Sequence, residues 1–275
     1  MKPVLLAVVS DTHCNSTLGL CPPIVRLDEG GKYEASKAQK WLWANWLDYH
    51  AQIGALRKAL GAKLIYCVNG DSCDGIDNHG SAQCVSSNPE SQSFILHETF
   101  QIAKNLKPDE AHVIRGTIAH VGEGGAADEL LGRFLGANRN ADTRTWSSWS
   151  CRILAYGVEI DLQHHTSVGG LPWTVPGGVA RLAFRHWAER LENGFQPADL
   201  IIRSHKHKHS DSHDAHKTRA IVTPAWQLKT SFGFRIAPES LADVGGIAVV
   251  IYPEGTYEVK KYLYKPALPT PRSIT

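Results

Sequence analysis

The sequence predicts an α/β layered fold whose first strands run parallel. Three observations carry that prediction. Apolar runs of strand length recur at 3–9, 62–68 and 110–115, helical stretches stand between them at 36–60 and 93–106, and each apolar run ends abruptly in polar residues. In open α/β folds ligands bind beyond the carboxyl ends of the strands, so those polar ends are the first place to look for chemistry.

The first run, apolar and partly β-branched, reads as a buried strand ending at Ser10. A polar loop with Pro and Gly follows to about residue 33. From Ser36 to Leu60 there is no proline, and Leu42, Trp46, Tyr49, Ile53, Leu56 and Leu60 recur at threes and fours, which predicts a long amphipathic helix stopped by Gly61. Ala62–Val68 is a second buried strand running into Asn69-Gly70-Asp71, and a Ser-, Asn- and Cys-rich loop leads to about residue 90. A helix at Ser93–Leu106 and a strand at Glu110–Arg115, ending in Gly116-Thr117, complete a β-α-β-α-β series. After a Gly-rich turn at 122–125 come a short helix at 126–135 and a hairpin within 146–162 split at Gly157. A helix at 180–191 and short strands at 200–203 and 220–223 follow. A hairpin at 245–252 and 256–264 precedes a Pro-rich, surface-draped tail from 265. With no repeat and no linker, 1–275 reads as one domain.

Composition bounds the function. Hydrophobic residues make up 43% and charged residues 20%, ordinary for a soluble globular chain, and the net charge of +2 makes no general case for nucleic acid or an acidic membrane. The six cysteines form no CxxC pair, and reduced thiols in a cytoplasmic protein are the expectation. The N-terminal apolar run is short and lacks a small-residue cleavage site, and no apolar run is long enough to span a membrane.

The densest chemistry lies between Arg203 and His216, reading RSHKHKHSDSHDAH. Residues two apart at a strand end share a face, so His205 and His207, or His207 and His209, can aim two imidazoles at one point. Imidazole is the commonest metal ligand among side chains, and a solvated His-rich loop is the bland alternative. Other strand ends decide between them: Asp11 and His13, Asp71 and Asp74, Thr117 and His120, and His164 with His165. A mixed oxygen and nitrogen set without thiolate suits manganese, iron and zinc, with enough ligands for two ions and a carboxylate to bridge them.

The ordered set resembles the calcineurin-like metallophosphoesterases. It stands here as Asp11-Thr12-His13, Gly70-Asp71-Ser72-Cys73-Asp74, Gly116-Thr117-Ile118-Ala119-His120, His164 and Ser204-His205-Lys206-His207, covering residues 4 to about 210. The resemblance implies a four-layer α/β/β/α sandwich of two mixed β-sheets flanked by helices, with two divalent metal ions at the strand ends. Manganese comes first, with iron, zinc or nickel as alternatives. One ion takes Asp11, His13, Asp71 and His207; Asp71 bridges; the other ion adds His164 and His205. Thr117 stands where the family has an Asn ligand, so its hydroxyl, a backbone oxygen, a water or Asn69 takes that place. His120 falls two residues later than the pattern and takes the role of general acid, with Asp74 as an orienting partner. Ser204 replaces a glycine that is not itself a ligand. Of His164 and His165, His164 aligns with the family's strand-end histidine. The Ser-Lys-Ala-Gln-Lys-Trp-Leu-Trp stretch resembles phage-borne members.

The function implied is phosphoester hydrolysis by a metal-bridging hydroxide, on a phosphodiester before a monoester and on a nucleotide or nucleic-acid-like substrate. Trp41, Trp43, Trp173 and Trp226 stack bases if they line the cleft, and otherwise belong to the core. The turn at 122–125 and the segment 171–178 are the expected cleft walls. The competing readings are a phosphoprotein phosphatase, which lacks its Arg-rich signatures after Asp74, and a non-catalytic scaffold binding a partner through the Trp-rich helix. His209, His213 and His216 are expected as exposed loop residues, and His79, His97, His112 and His186 as structural ones.

Overall fold

The structure, a computed structural model, describes residues 1–75, 83–169, 174–267 and 273. His79 and most of the Pro-rich tail lie outside the described residues. The chain opens with β1 (Val4–Val9), buried along its whole length, which is why it reads as an uninterrupted apolar run. The loop expected to reach residue 33 instead holds a small hairpin, β2 (Ile24–Arg26) with β3 (Lys32–Glu34), whose strands are too short to leave a periodic signature.

α1 (Lys37–Leu60) begins and ends on its sequence signals. The Ser36 hydroxyl accepts from the Gln39 amide, the Gln39 side chain accepts from Ser36 N–H, and Gly61 closes the helix with φ of 59°. Leu42, Trp46, Tyr49 and Ile53 form its buried face. β4 (Lys63–Asn69) follows, then α2 (Pro89–Asn105), which starts at Pro89 rather than Ser93. The Asn88 side chain caps it by accepting from the amides of Glu90 and Ser91, and a proline in the first turn loses no helical bond. β5 (Glu110–Ile114) leads into α3 (Ile118–Val121), a single unpredicted turn, and then α4 (Ala126–Leu135), found where expected. The hairpin of β6 (Ser150–Ala155) and β7 (Val158–Gln163) turns at Tyr156 and Gly157. α5 (Val175–Glu192) starts ahead of Ala180, taking Gly177 and Gly178 into its first turns. β8 (Leu200–Arg203), β9 (Ser210–Asp211), β10 (Arg219–Val222), the unpredicted α6 (Ser231–Ile236), β11 (Val244–Ile251) and β12 (Tyr257–Tyr264) complete the order.

The strands form two mixed five-stranded sheets, β12-β11-β1-β4-β5 and β6-β7-β8-β10-β9. β1, β4 and β5 are parallel, as the β-α-β-α-β series predicts, and β7, β8 and β10 are parallel in the second sheet. Strand alternation sorts the core. Leu5, Ala7 and Val9 pack with Leu42, Trp46, Tyr49 and Ile95 of α1 and α2, whereas Leu6 and Val8 pack with Ile160, Leu162, Leu200 and Ile202 of the other sheet. On the far face of the second sheet, Ile201, Ala220 and Val222 meet Val179 and Ala183 of α5. Trp46 and Trp226 are fully buried and meet edge to face with ring centroids 4.9 Å apart. Among the described residues no helix is long and apolar enough to cross a membrane.

Arg203 ends β8 buried, its guanidinium 2.7 Å from Asp161 Oδ1 and donating to the carbonyls of Asp161 and Ile202. Removing one partner of a buried pair strands the other charge. Asp161→Ala is therefore expected to lower stability by about 3–5 kcal/mol, read as a lower urea midpoint with an unchanged slope.

Candidate metal centre

The chemistry begins one or two residues past the strand ends. β1 and β4 stop at Val9 and Asn69, but their parallel ladder continues as Asp11 N–H to Gly70 O, His13 N–H to Asp71 O and Cys14 N–H to Ser72 O, at 2.9 to 3.0 Å. Along it Asp11, His13 and Asp71 take φ of 50°, 42° and 52°, and beyond β8 His205 and His207 take 74° and 51°. Non-glycine residues rarely enter this left-handed region, and they gather there at functional sites. Side-chain direction is set by these turns and not by strand pleat. His205 and His207 accordingly do not aim at one point. His207 joins Asp11 and His13, while His205 joins His164 and His165. This corrects the strand-end reading of the His-x-His motif.

Asp71 stands between these two clusters, grouped with Asp11 and His164 on one side and with His13 and His120 on the other. Thr117 N–H donates to Asp71 Oδ1 at 2.5 Å and the Thr117 hydroxyl to Oδ2 at 3.2 Å. A side chain on Gly116 has no room, since its Cβ would meet Asp71 Oδ1 at 2.1 Å; one on Gly70 would meet His164 Nδ1 at 2.3 Å. Thr117 thus supports Asp71 rather than simply replacing an amide ligand. The two residues that displace His120 along the sequence are absorbed by α3, whose first turn carries the Thr117 carbonyl to His120 N–H at 2.9 Å. His120 Nδ1 and His13 Nδ1 each lie 2.7 Å from the same oxygen, Asp74 Oδ1, and Gln227 donates to Asp74 Oδ2 at 3.3 Å. The Asn69 Nδ2 donates to Gln163 O at 3.0 Å and to the Ser204 hydroxyl at 2.6 Å, while its buried Oδ1 has no hydrogen-bond partner among the described residues.

Hydrogen bonds fix what the imidazoles present. His164 Nδ1 faces the Asn69 carbonyl at 2.7 Å, and a carbonyl only accepts, so Nδ1 carries a proton and Nε2 is the nitrogen turned to the site, where a cation would take the place of any second proton. The Asp74 carboxylate does the same for His13. His164 Nε2 is 3.0 Å from Asp71 Oδ2 but misaligned, and among the described residues neither it nor the buried Asp11 Oδ1 has a hydrogen-bond partner. Around Asp11 Oδ1 stand Nε2 of His207 at 3.3 Å and of His13 and His164 at 4.0 Å. Imidazole nitrogens and carboxylate oxygens that face one another are stable around positive charge, whether a proton or a metal cation. These residues therefore fit divalent cations held by imidazole and carboxylate.

Protonation follows the same logic. Burial disfavours charge on Asp11 and Asp71, yet His207 and His164 beside Asp11, and His164 and His205 beside Asp71, hold both carboxyls well below the usual range. Burial opposes an imidazolium at His164, but Asp71 and Asp11 carry its pKa up to about 10. At His120 burial again works downward, and Asp74, Asp71 and Asp11 outweigh it to raise the pKa.

Three residues stand differently from the sequence reading: His165, which it sets aside in favour of His164, Asp128, which it does not single out, and His209, which it expects to be exposed. His165 sits beside His164 with ring centroids 4.9 Å apart, and its Nε2 is 3.3 Å from the Thr117 hydroxyl. Asp128, buried in the first turn of α4, accepts from Ser72 N–H at 3.3 Å and Gly116 N–H at 2.7 Å, and burial pushes its pKa up to about 6. A helix-start Asp after glycines was its only signal. His209 is not an exposed loop residue: its Nδ1 holds the Val222 carbonyl at 2.9 Å, away from the clusters, while His213 and His216 are exposed.

A cleft of about 770 Å³ opens over Asp71, Asp74, His120, His205 and His207. Its far wall is not the turn at 122–125 but Leu228–Ala242, including Phe232 and Arg235 of α6. Of the expected stacking residues, Trp226 is core, Trp41 and Trp43 pack against the core, and Trp173 lies outside the described residues, as do Leu171 and Pro172 of the other expected wall.

Asp128→Ala is expected to leave two buried amides unmet, costing about 1–3 kcal/mol for each, and to loosen the loops carrying Asp71 and Thr117. Urea unfolding should show the loss, and calorimetric titration with Mn²⁺ should show weakened binding.

No protein-family model matches the chain, and no curated protein matches its sequence. Among solved structures it is similar to a dimetal phosphatase from Danio rerio, at 8% identity and a TM-score of 0.46, covering 94% of this chain and 99% of that one. It is similar to Vps29 complexed with zinc from Entamoeba histolytica, at 12% identity and a TM-score of 0.42, covering 94% and 99%. It is also similar to the NAD nucleotidase NadN of Haemophilus influenzae, at 12% identity and a TM-score of 0.40, covering 94% of this chain and 55% of that one. At such identities and scores, the case for chemistry rests on the side chains themselves.

Proposed function

We propose that the chain is a dinuclear metal-dependent phosphoesterase acting on a phosphodiester. The observation that carries this reading is the pair of donor clusters, Asp11 with His13 and His207, and His164 with His205, that share Asp71 between them beneath an open cleft. Asp11, His13, Asp71 and His207 would hold one ion, and Asp71, His164 and His205 the other. When bound, such ions neutralise charge on phosphoryl oxygens and bring the pKa of water toward neutrality.

The chain's own groups do the rest. Asp74, with one oxygen on both His13 and His120, fixes two rings at once. Its bond to Nδ1 leaves His120 Nε2 for the substrate, and the surrounding carboxylates favour the protonated ring. His120 donates that proton to the departing oxygen as general acid. Lys206, Lys229 and Arg235 give the cleft a positive wall for the ester's remaining charge, with Phe232 as an apolar surface beside them. A wall of that kind suits a diester with an aromatic or nucleoside arm better than a small monoester.

Hydrolysis of bis(p-nitrophenyl) phosphate is the direct test. Turnover should require Mn²⁺ or another divalent ion and cease on chelation. Asp71→Asn should abolish it and lower the bound metal. His120→Asn should cost about 10²–10⁴-fold in kcat with metal content retained. His209→Ala should leave bound metal unchanged. Absence of turnover with every divalent ion would favour a non-catalytic scaffold.

A further inference from the structure

We propose that His165 is a ligand of the second metal position, which thereby becomes a three-imidazole pole of His164, His165 and His205, with Thr117 as its positioning residue. The inference rests on the dinuclear reading above and adds a residue and a metal preference to it.

The geometry is local and repeated. The three rings stand around one small volume, with centroids 4.9 Å apart for His164 and His165, 5.3 Å for His164 and His205, and 5.1 Å for His165 and His205. One nitrogen from each lies within 4.8 Å of the others. Imidazole nitrogens on one tetrahedral ion at about 2.1 Å are about 3.4 Å apart, so modest ring rotations close the set. The Thr117 hydroxyl lies beside two of the rings, 3.3 Å from His165 Nε2 and 3.2 Å from His205 Nδ1, while donating to Asp71 Oδ2. With its one proton on Asp71 Oδ2, the hydroxyl accepts from a protonated nitrogen of each ring and so steadies both in the ion-free chain. Thr117 is the position that departs from the amide-bearing motif. The same place in the fold brings in an imidazole from the end of β7, on the residue next to His164. The backbone there is held by His164 O accepting from Ser204 N–H at 2.8 Å.

Substituting imidazole for an oxygen ligand changes what the pole prefers. Carboxylate and carbonyl oxygen suit Mn²⁺, whereas imidazole suits Zn²⁺, Ni²⁺ and iron. With Asp71 shared, the first pole has two carboxylates, Asp11 and Asp71, and two imidazoles, and the second has Asp71 and three imidazoles. The two positions therefore differ in selectivity, and the second favours Zn²⁺ over Mn²⁺ through His165.

The test is calorimetric titration of the metal-free chain with Zn²⁺ and, separately, Mn²⁺, with Co²⁺ absorption as a second measure of nitrogen ligation. Wild type is expected to bind two Zn²⁺. His165→Ala is expected to keep one, to weaken the other at least about tenfold, to narrow the Zn²⁺-over-Mn²⁺ preference at that position, and to lower the Co²⁺ band. His165 is exposed, so the metal-free melting temperature should match wild type and exclude a folding defect. His209→Ala serves as the control that keeps both ions. Two ions bound to His165→Ala with wild-type affinity and selectivity would overturn the role of His165 while leaving the dinuclear reading intact. Fewer than two ions on wild type would overturn both.

Discussion

Everything at the site depends on a backbone constraint: the chain leaves its strands and turns through left-handed conformations at the residues that carry the donors. Asp11, His13, Asp71, His205 and His207 all sit at φ between 42° and 74°. Such conformations cost on the order of 1–3 kcal/mol each and persist only where the surroundings impose them. Here the surroundings are hydrogen bonds that prolong the sheet past its strands. Asp11 is held from both sides, its N–H on Gly70 and its carbonyl on Trp226 N–H, while the His207 carbonyl accepts from Asp243 N–H. A two-sheet core buried on both faces makes that imposition affordable.

Electrostatics builds on this frame in a consistent order. Two carboxylates, Asp11 and Asp71, are buried where burial opposes their charge, and the imidazoles around them restore it. A further pair of carboxylates works one step outward. Asp74 sets the rotation of His13 and His120 through a single oxygen, and Asp128 holds the loops of Asp71 and Thr117 through their neighbours' amides. The inner carboxylates and imidazoles are thus arranged so that they could take cations, with His120 beside them at the cleft. The basic and aromatic wall contributed by Leu228–Ala242 lines the same cleft.

Much of this was legible in the chain. β1, β4 and β5 are buried apolar runs, α1 carries its capping residues openly, and α4 lies between glycines, so their extents follow from burial and local hydrogen bonding. α6 and the β2–β3 hairpin were not legible, because three to six residues give no period to read. The start of α2 was signalled by Asn88-Pro89, a cap whose meaning competes with that of a turn. His164 stood out by its place at the end of a strand, but nothing in the dipeptide separated it from His165. The displaced His120 looked like a departure from pattern until α3 showed a helical turn taking up the extra residues.

By itself the sequence determined the donor chemistry, since ligand types and their order along the chain are properties of residues. It also determined the parallel half of the first sheet, since buried strands and the helices between them have local periods. Only the tertiary structure decided which donors meet. Grouping depends on left-handed backbone turns and on atoms brought together from the ends of β1, β4, β5, β7 and β8. His205 and His207 are two residues apart in the chain yet belong to different clusters, and His165 stands with His164 and His205, its Nε2 3.3 Å from the hydroxyl of Thr117, 48 residues away. Those are long-range contacts, and no local pattern encodes them.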